Sequence, residues 1–314
     1  MGRLAYLYDP LFLKHDPGYG HPETPQRLQS IQSYLENRGF FDRAELIQPG
    51  PVTREDLKLI HSEDYIDFVL KQAGRENVVL DYGDTRLSEE SVEAALLAAG
   101  SALKAIDLIY EENFDKVFAA VRPPGHHAVK NSAMGFCVFN NIALCAAYAI
   151  KSEKATRVLI VDWDVHHGNG TQDMFYTSDQ VFYLSLHQYP FYPMTGKAEE
   201  SGVNSGAGYT MNCPLSHGTN DDEYVRILDE ALEEIERHFI PDLVLISAGF
   251  DAHAADPIGG MLVSEQGFYK LTEIVARFAQ RHSNGRIISF LEGGYNLREL
   301  PHSVYKHLLC MLKH

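Results

Sequence analysis

The stretch Val161–Gly170 sets an aspartate and a histidine, Asp164 and His166, two residues apart, just after the apolar run Arg157–Val161. In a strand that spacing puts both side chains on one face. Glycines follow, so the pair is expected where a buried strand gives way to a loop, which is where open α/β sheets carry their chemistry. A borderline cation such as zinc accepts imidazole and carboxylate, and a catalytic zinc keeps three protein ligands and one open position. The run Pro241–Asp251 is another apolar strand ending in Gly, Phe and a carboxylate, and Asp251 is assigned as the third ligand.

An Asp-x-His alone is more often only a polar loop than a metal site. Its company changes that balance. Val117–Val121 leads into Arg122-Pro123-Pro124-Gly125-His126-His127, and adjacent histidines on a Pro/Gly loop are poor core residues. Arg286–Leu291 leads into Glu292-Gly293-Gly294-Tyr295. Four strand ends thus present Asp/His, Asp, His/His and Tyr.

With these motifs the sequence resembles the zinc-dependent histone deacetylases and their bacterial amidohydrolase relatives, within the arginase/deacetylase fold. The resemblance rests on Arg122–Ala128, Gly135–Asn141, Asp162–Gln172, Ser185–His187, Gly249–His253, Asp256-Pro257 and Glu292–Tyr295, in the family's order. It extends to His21-Pro22-Glu23 and Pro25–Leu28, so it covers essentially the whole chain, residues 1–314. Trp163, Val165 and Asn169 look like the class II branch.

Strand-like runs at Leu4–Tyr8, Val117–Val121, Val158–Val161, Val181–Leu186, Leu243–Ser247 and Ile287–Leu291 alternate with longer helical patterns. The helical segments are Pro25–Asn37, Asp64–Ala73, Ser88–Ile109, Asn140–Lys151, Asp221–His238, Ser264–Arg281 and a C-terminal stretch. Continuous apolar strands between amphipathic helices predict a parallel sheet covered on both faces. The resemblance implies an α/β, single-domain, three-layer arginase/deacetylase fold around a mostly parallel eight-stranded sheet.

Composition narrows the function classes. With 45% hydrophobic and 22% charged residues the chain has the makings of a sizeable core. No segment is long and apolar enough for a membrane span, and no signal peptide is apparent, so a cytoplasmic location is expected. Cys137, Cys145, Cys213 and Cys310 form no Cys-x-x-Cys pair, which predicts neither a disulfide framework nor a thiolate zinc site. A net charge of −16 argues against nucleic-acid binding and modestly favours cationic substrates. A homo-oligomer is compatible with the sequence.

The resemblance implies roles residue by residue. Asp164, His166 and Asp251 would hold Zn2+, with Fe2+ as the other candidate metal. His127 would be the general base and later the general acid, since a neutral imidazole titrates near working pH. His126 would be its electrostatic partner, held by Asp162, while Asn169 stands beside His127 where the class I branch has a carboxylate. An amide there should raise the His127 pKa less than a carboxylate would. Tyr295 would donate to the developing oxyanion.

An acyl-lysine tunnel would be walled by Phe136 and Tyr192, with Phe191 as the other candidate, and Gly135 would offer a carbonyl at its rim. Arg27 matches an arginine of an internal acetate channel, although an arginine at a helix start is about as often a salt-bridge residue. Structural K+ would be held by backbone oxygens of Asp162, Asp164, His166 and Leu186 with the Ser185 hydroxyl. A second such site would involve Phe175, Ser178, Val181 and Tyr209. His187 is expected to be a packed neighbour and His253 not to be a ligand.

Acetylpolyamine-selective relatives carry an acidic gatekeeper where this chain has Ile258. An apolar residue gives a second cation no partner, so acyl-lysine in peptides or proteins is the expected substrate and acetylpolyamine the alternative. A binuclear manganese ureohydrolase and a non-catalytic acyl-lysine binder are the other readings. The first would need further Asp/His ligands at the same strand ends.

Overall fold

The apolar runs become strands that are buried along their whole length. In the computed structural model, which describes residues 2–314, these are β1 (Leu4–Leu7), β5 (Lys116–Ala119), β6 (Val158–Asp162), β7 (Val181–Gln188), β9 (Leu243–Ala248) and β10 (Ile287–Leu291). Two further strands, β2 (Glu45–Ile47) and β8 (Thr210–Leu215), complete an eight-stranded sheet in the order β2-β1-β5-β10-β9-β6-β7-β8. Every neighbouring pair in it is parallel. A small antiparallel hairpin, β3 (Val78–Val79) and β4 (Arg86–Leu87), stands apart from it.

The helices are α1 (Gln26–Asn37), α2 (Arg54–Leu57), α3 (Glu63–Leu70), α4 (Ser91–Tyr110), α5 (Asn141–Lys151), α6 (Asn169–Phe175), α7 (Asp221–Ile235), α8 (Glu265–His282) and α9 (Leu300–Lys313). One layer packs α1, α9, α8 and α7 in series, and the other sets α4 against α5. Polar side chains start several helices by satisfying first-turn N–H groups: Asn140 for α5, Asn220 for α7 and Ser264 for α8. The sheet is therefore covered on both faces, as expected for parallel strands.

Register places the chemistry. Asp162 at the end of β6 lies opposite Ser247 of β9, and Leu291 of β10 lies opposite Ala248. Strands β5, β10, β9 and β6 are consecutive in the sheet, so the loops after them emerge side by side at one edge. Among the described residues no helix is long and apolar enough to cross a membrane, and all four cysteines are free.

Candidate active site

Asp164 and His166 do not alternate along a strand, contrary to the expectation from their spacing. β6 ends at Asp162, and the pair is brought together by a turn in which Asp164 Oδ1 accepts the His166 N–H at 2.9 Å. The other Asp164 oxygen accepts the Gly293 N–H at 2.8 Å, and Asp251 Oδ1 accepts the Val165 N–H at 2.8 Å. Two buried carboxylates thus tie together the ends of β6, β9 and β10.

His166 Nδ1 faces both carboxylates, 3.0 Å from Asp164 Oδ1 and 3.2 Å from Asp251 Oδ2. One donor atom from each of Asp164, His166 and Asp251 lies within 4.8 Å of the others. Asp251 Oδ2 is buried without a hydrogen-bond partner. Gly293 passes so close that a Cβ there would sit 2.1 Å from that oxygen and 2.6 Å from Asp164 Oδ2. Two carboxylates and an imidazole, one oxygen left unsatisfied, fit a divalent cation.

Charge is strongly structured around this group. Burial, then the neighbouring Asp164 charge, pushes the Asp251 carboxyl up to about 7. Burial alone would lower His166, but its bond to Asp164 and the close charge of the Asp251 carboxylate raise it to about 9. Such mutual dependence of buried acids and a base is common at functional sites.

The loop after β5 brings His126 and His127 beside this group, their ring centroids 4.0 Å apart. His126 Nδ1 lies 3.0 Å from Asp162 Oδ2, which also accepts the Tyr183 hydroxyl at 3.0 Å. His127 Nδ1 lies 2.8 Å from Asn169 Oδ1. The two rings are driven in opposite directions. Burial disfavours the His126 cation but the Asp162 and Asp164 charges overcome it, up to about 10. For His127, burial and then the His126 and His166 charges hold the ring well below the ordinary histidine range. Adjacent groups with opposed shifts are the arrangement from which acid and base roles are assigned.

A cavity of about 190 Å³ opens onto these residues, lined by Asp84, His127, Gly135, Phe136, His166, Phe191, Tyr192, Ile258 and Tyr295. The alternative between Tyr192 and Phe191 resolves into both. Phe191 stacks on His166 at 5.1 Å, and Tyr192 stands edge-on to His127 at 5.3 Å. Phe136 meets the Tyr295 ring edge-on at 6.1 Å. Phe136 follows Gly135 with φ of +70° and +54°, and a Cβ on Gly135 would lie 2.5 Å from the His127 ring. Glycine is required there by both conformation and space.

Arg27 is fully buried and ion-paired with Glu23 at 2.9 Å, and it donates to the carbonyls of Gly294 and Glu292. Of its two sequence readings, the salt bridge is the one with a contact in the structure. Among the backbone oxygens considered for monovalent cations, Leu186 O accepts the Tyr224 hydroxyl at 2.7 Å, while Ser185 Oγ lies 2.9 Å from His187 Nδ1. Phe175 O accepts the Ser178 N–H in the connection that leads to β7, which begins at Val181, and Tyr209 O accepts the N–H of Tyr183 within that strand. His187 is packed, its Nε2 2.8 Å from Gly196 O. His253 joins Glu265 and Glu299, not the Asp164 group, and its Nδ1 accepts the Ala255 N–H.

Several functional residues were not assigned a role from sequence. Glu292 Oε2 accepts the N–H groups of Gly125 (2.7 Å) and His126 (3.2 Å), and Ser247 donates to its other oxygen, so it fixes the histidine loop. Its place before Gly-Gly-Tyr was the available signal. Tyr183 had none, since a tyrosine in a buried strand looks like core. Glu23, which also takes two bonds from Arg122, belongs to a motif that carries the resemblance without an assigned role. Asp84, exposed at the cavity mouth, sits in the hairpin turn, where an aspartate is unremarkable.

Residues 21–311 match the family described as the histone deacetylase domain. The chain is 38% identical over 295 residues to a probable deacetylase of Archaeoglobus fulgidus, covering 93% of this chain and 81% of that protein. It is 34% identical over 323 residues to the histone deacetylase-like amidohydrolase of Pseudomonas aeruginosa, covering 95% and 83%. The crystal structure of the HDA15 HD domain superposes with a TM-score of 0.94 at 38% identity, covering 100% of this chain and 89% of that one.

Proposed function

Because the chain belongs to the histone deacetylase family, we propose that it is a zinc-dependent hydrolase releasing acetyl, or other acyl, groups from the Nε of lysine side chains in peptides or proteins. The observation that carries this reading is convergence. His127, His166 and Tyr295 line one cavity together with Phe136, Phe191 and Tyr192, and Asp164 and Asp251 each bring a ligand oxygen within 4.8 Å of the His166 ring nitrogen.

The donor set of two carboxylates and one imidazole suits Zn2+, with Fe2+ as the other candidate. When bound, such a cation lowers the pKa of a water and polarises the acyl oxygen. His127, neutral and with Nδ1 directed at Asn169, takes a proton at Nε2 and returns it to the departing amine. His126, paired with Asp162, supplies fixed positive charge beside it. Tyr295 donates its hydroxyl to the developing oxyanion. Phe136, Phe191 and Tyr192 pack along the methylene stem and exclude water, and Gly135 would offer its carbonyl at the rim of the acyl pocket. Ile258 offers no partner to a second ammonium, which favours acyl-lysine over acetylpolyamine.

Structural K+ at Asp162, Asp164, His166, Ser185 and Leu186, and at Phe175, Ser178, Val181 and Tyr209, belongs to the same proposal, as does a cytoplasmic place of work. Acetate release by the zinc-loaded protein from an acetyl-lysine peptide, beside acetylputrescine at equal concentration, tests the reading. Faster peptide turnover is expected. Faster acetylputrescine turnover would overturn the substrate class, and silence on both would overturn the hydrolase.

A further inference from the structure

The peptide group that carries Tyr295 is gripped at both edges by side chains from elsewhere in the chain. Its oxygen, on Gly294, accepts from Arg27 Nε at 2.6 Å, and its N–H, on Tyr295, donates to Asp256 Oδ2 at 2.7 Å. The Arg27 guanidinium also lies 5.0 Å from the centroid of the Tyr295 ring. No regular element does this work, because β10 ends at Leu291 and α9 begins at Leu300. Gly294 itself has φ of +117°, a conformation with broad freedom. The second Asp256 oxygen accepts the N–H groups of Ile258 (2.9 Å) and Gly259 (3.2 Å), so one carboxylate joins the Tyr295 backbone to the cavity wall.

We propose that Asp256 and Arg27 form a clamp on the Gly294–Tyr295 peptide and that Asp256 is a positioning residue for the Tyr295 hydroxyl. This rests on the reading of Tyr295 as the oxyanion donor. A donor acts in the transition state only where it is held, and a displacement of about 1 Å costs on the order of 100-fold in rate. Bonds from an N–H to a carboxylate and from a guanidinium to a carbonyl are charge-assisted and directional, which suits them to fixing one peptide orientation.

Asp256→Asn separates the clamp from the turn. The amide oxygen still accepts from Ile258 and Gly259, while the amide NH2 faces the Tyr295 N–H as donor against donor. On an acetyl-lysine peptide, kcat should fall about 10- to 100-fold, with KM and bound metal nearly unchanged. In a Tyr295→Phe background the same substitution should change kcat less than about twofold, since the hydroxyl it positions is gone. An equal loss in both backgrounds, or no loss in the parent with metal retained, would overturn the clamp. If Tyr295→Phe alone leaves kcat unchanged, the oxyanion reading has failed instead, and the clamp has nothing to position. Should Asp256→Asn not fold, Asp256→Ser serves the same cycle, because its hydroxyl can close the turn but is too short for Tyr295.

Discussion

His127 Nδ1 lies 2.8 Å from the side-chain oxygen of Asn169, while the Asn169 amide nitrogen is turned to Met134 Sδ at 3.4 Å. The neutral ring therefore donates from Nδ1 and keeps its Nε2 lone pair for the cavity. The partner is an amide and not a charge, so its bond raises the ring too little to offset burial and the two neighbouring imidazoles, which hold it well below the ordinary range.

Asn169→Asp supplies the missing charge. A carboxylate in hydrogen-bond contact favours the imidazolium and raises its pKa by about one unit or more. A base works unprotonated, so activity is lost as pH falls through its pKa, and a raised pKa moves that loss to higher pH. The acid limb of kcat/KM against pH should shift upward in the variant. An unmoved limb would assign the proton to another group.

The metal group makes a binding prediction independent of turnover. Asp251 contributes the oxygen that lacks a partner. Asp251→Ala should lose stoichiometric zinc, measured by elemental analysis. Zinc should stabilise the parent by about 4 kcal/mol at a thousandfold excess over Kd. The same addition should leave the variant's Tm unmoved, and retained stoichiometric zinc would mean that another side chain completes the site.

How far this was visible in the sequence follows from where each signal resides. β5, β6, β7, β9 and β10 are buried on both faces and therefore appear as unbroken apolar runs. The edge strands do not. β2 is mostly exposed, and β8 mixes exposed and buried positions around Pro214, which only an edge tolerates. Asn169–Phe175 forms a helix that its own motif concealed, because those residues draw notice for chemistry. In the site, Asp164, His166, Asp251, His126 and His127 are legible because the proposed chemistry calls for their side-chain types at strand ends. Tyr183, Asp256 and Glu292 act on a distant carboxylate or on backbone N–H groups, and such partners have no sequence spacing to betray them.

Ile258 tests the substrate class by gain of function. It lines the cavity and its backbone is held by Asp256 through a turn that any side chain can occupy. Ile258→Glu would offer a carboxylate to the distal ammonium of acetylputrescine. The ratio of kcat/KM for acetylputrescine to that for the acetyl-lysine peptide should rise about 10-fold, a difference of ~1.4 kcal/mol. An unchanged ratio would show that the cavity wall is not what selects between them.

Away from the site, His307 sets an acid limit on the fold. Its ring is fully buried, with Nδ1 2.7 Å from Thr272 Oγ1 and Nε2 3.0 Å from Ser289 Oγ, so hydroxyls satisfy the neutral form and no carboxylate supports the cation. Burial lowers it from 6.5 to about 3. Below 6.5 the unfolded chain binds a proton that the folded chain refuses, so the contribution of His307 is complete above that pH and is lost as pH falls toward 3. His307→Gln keeps a donor and an acceptor but cannot titrate. Its stability cost, measured by urea unfolding, should therefore shrink by about 2 kcal/mol between pH 7.5 and pH 5, at ~1.4 kcal/mol per unit below 6.5. A cost independent of pH would mean that the ring already accepts its proton inside the fold.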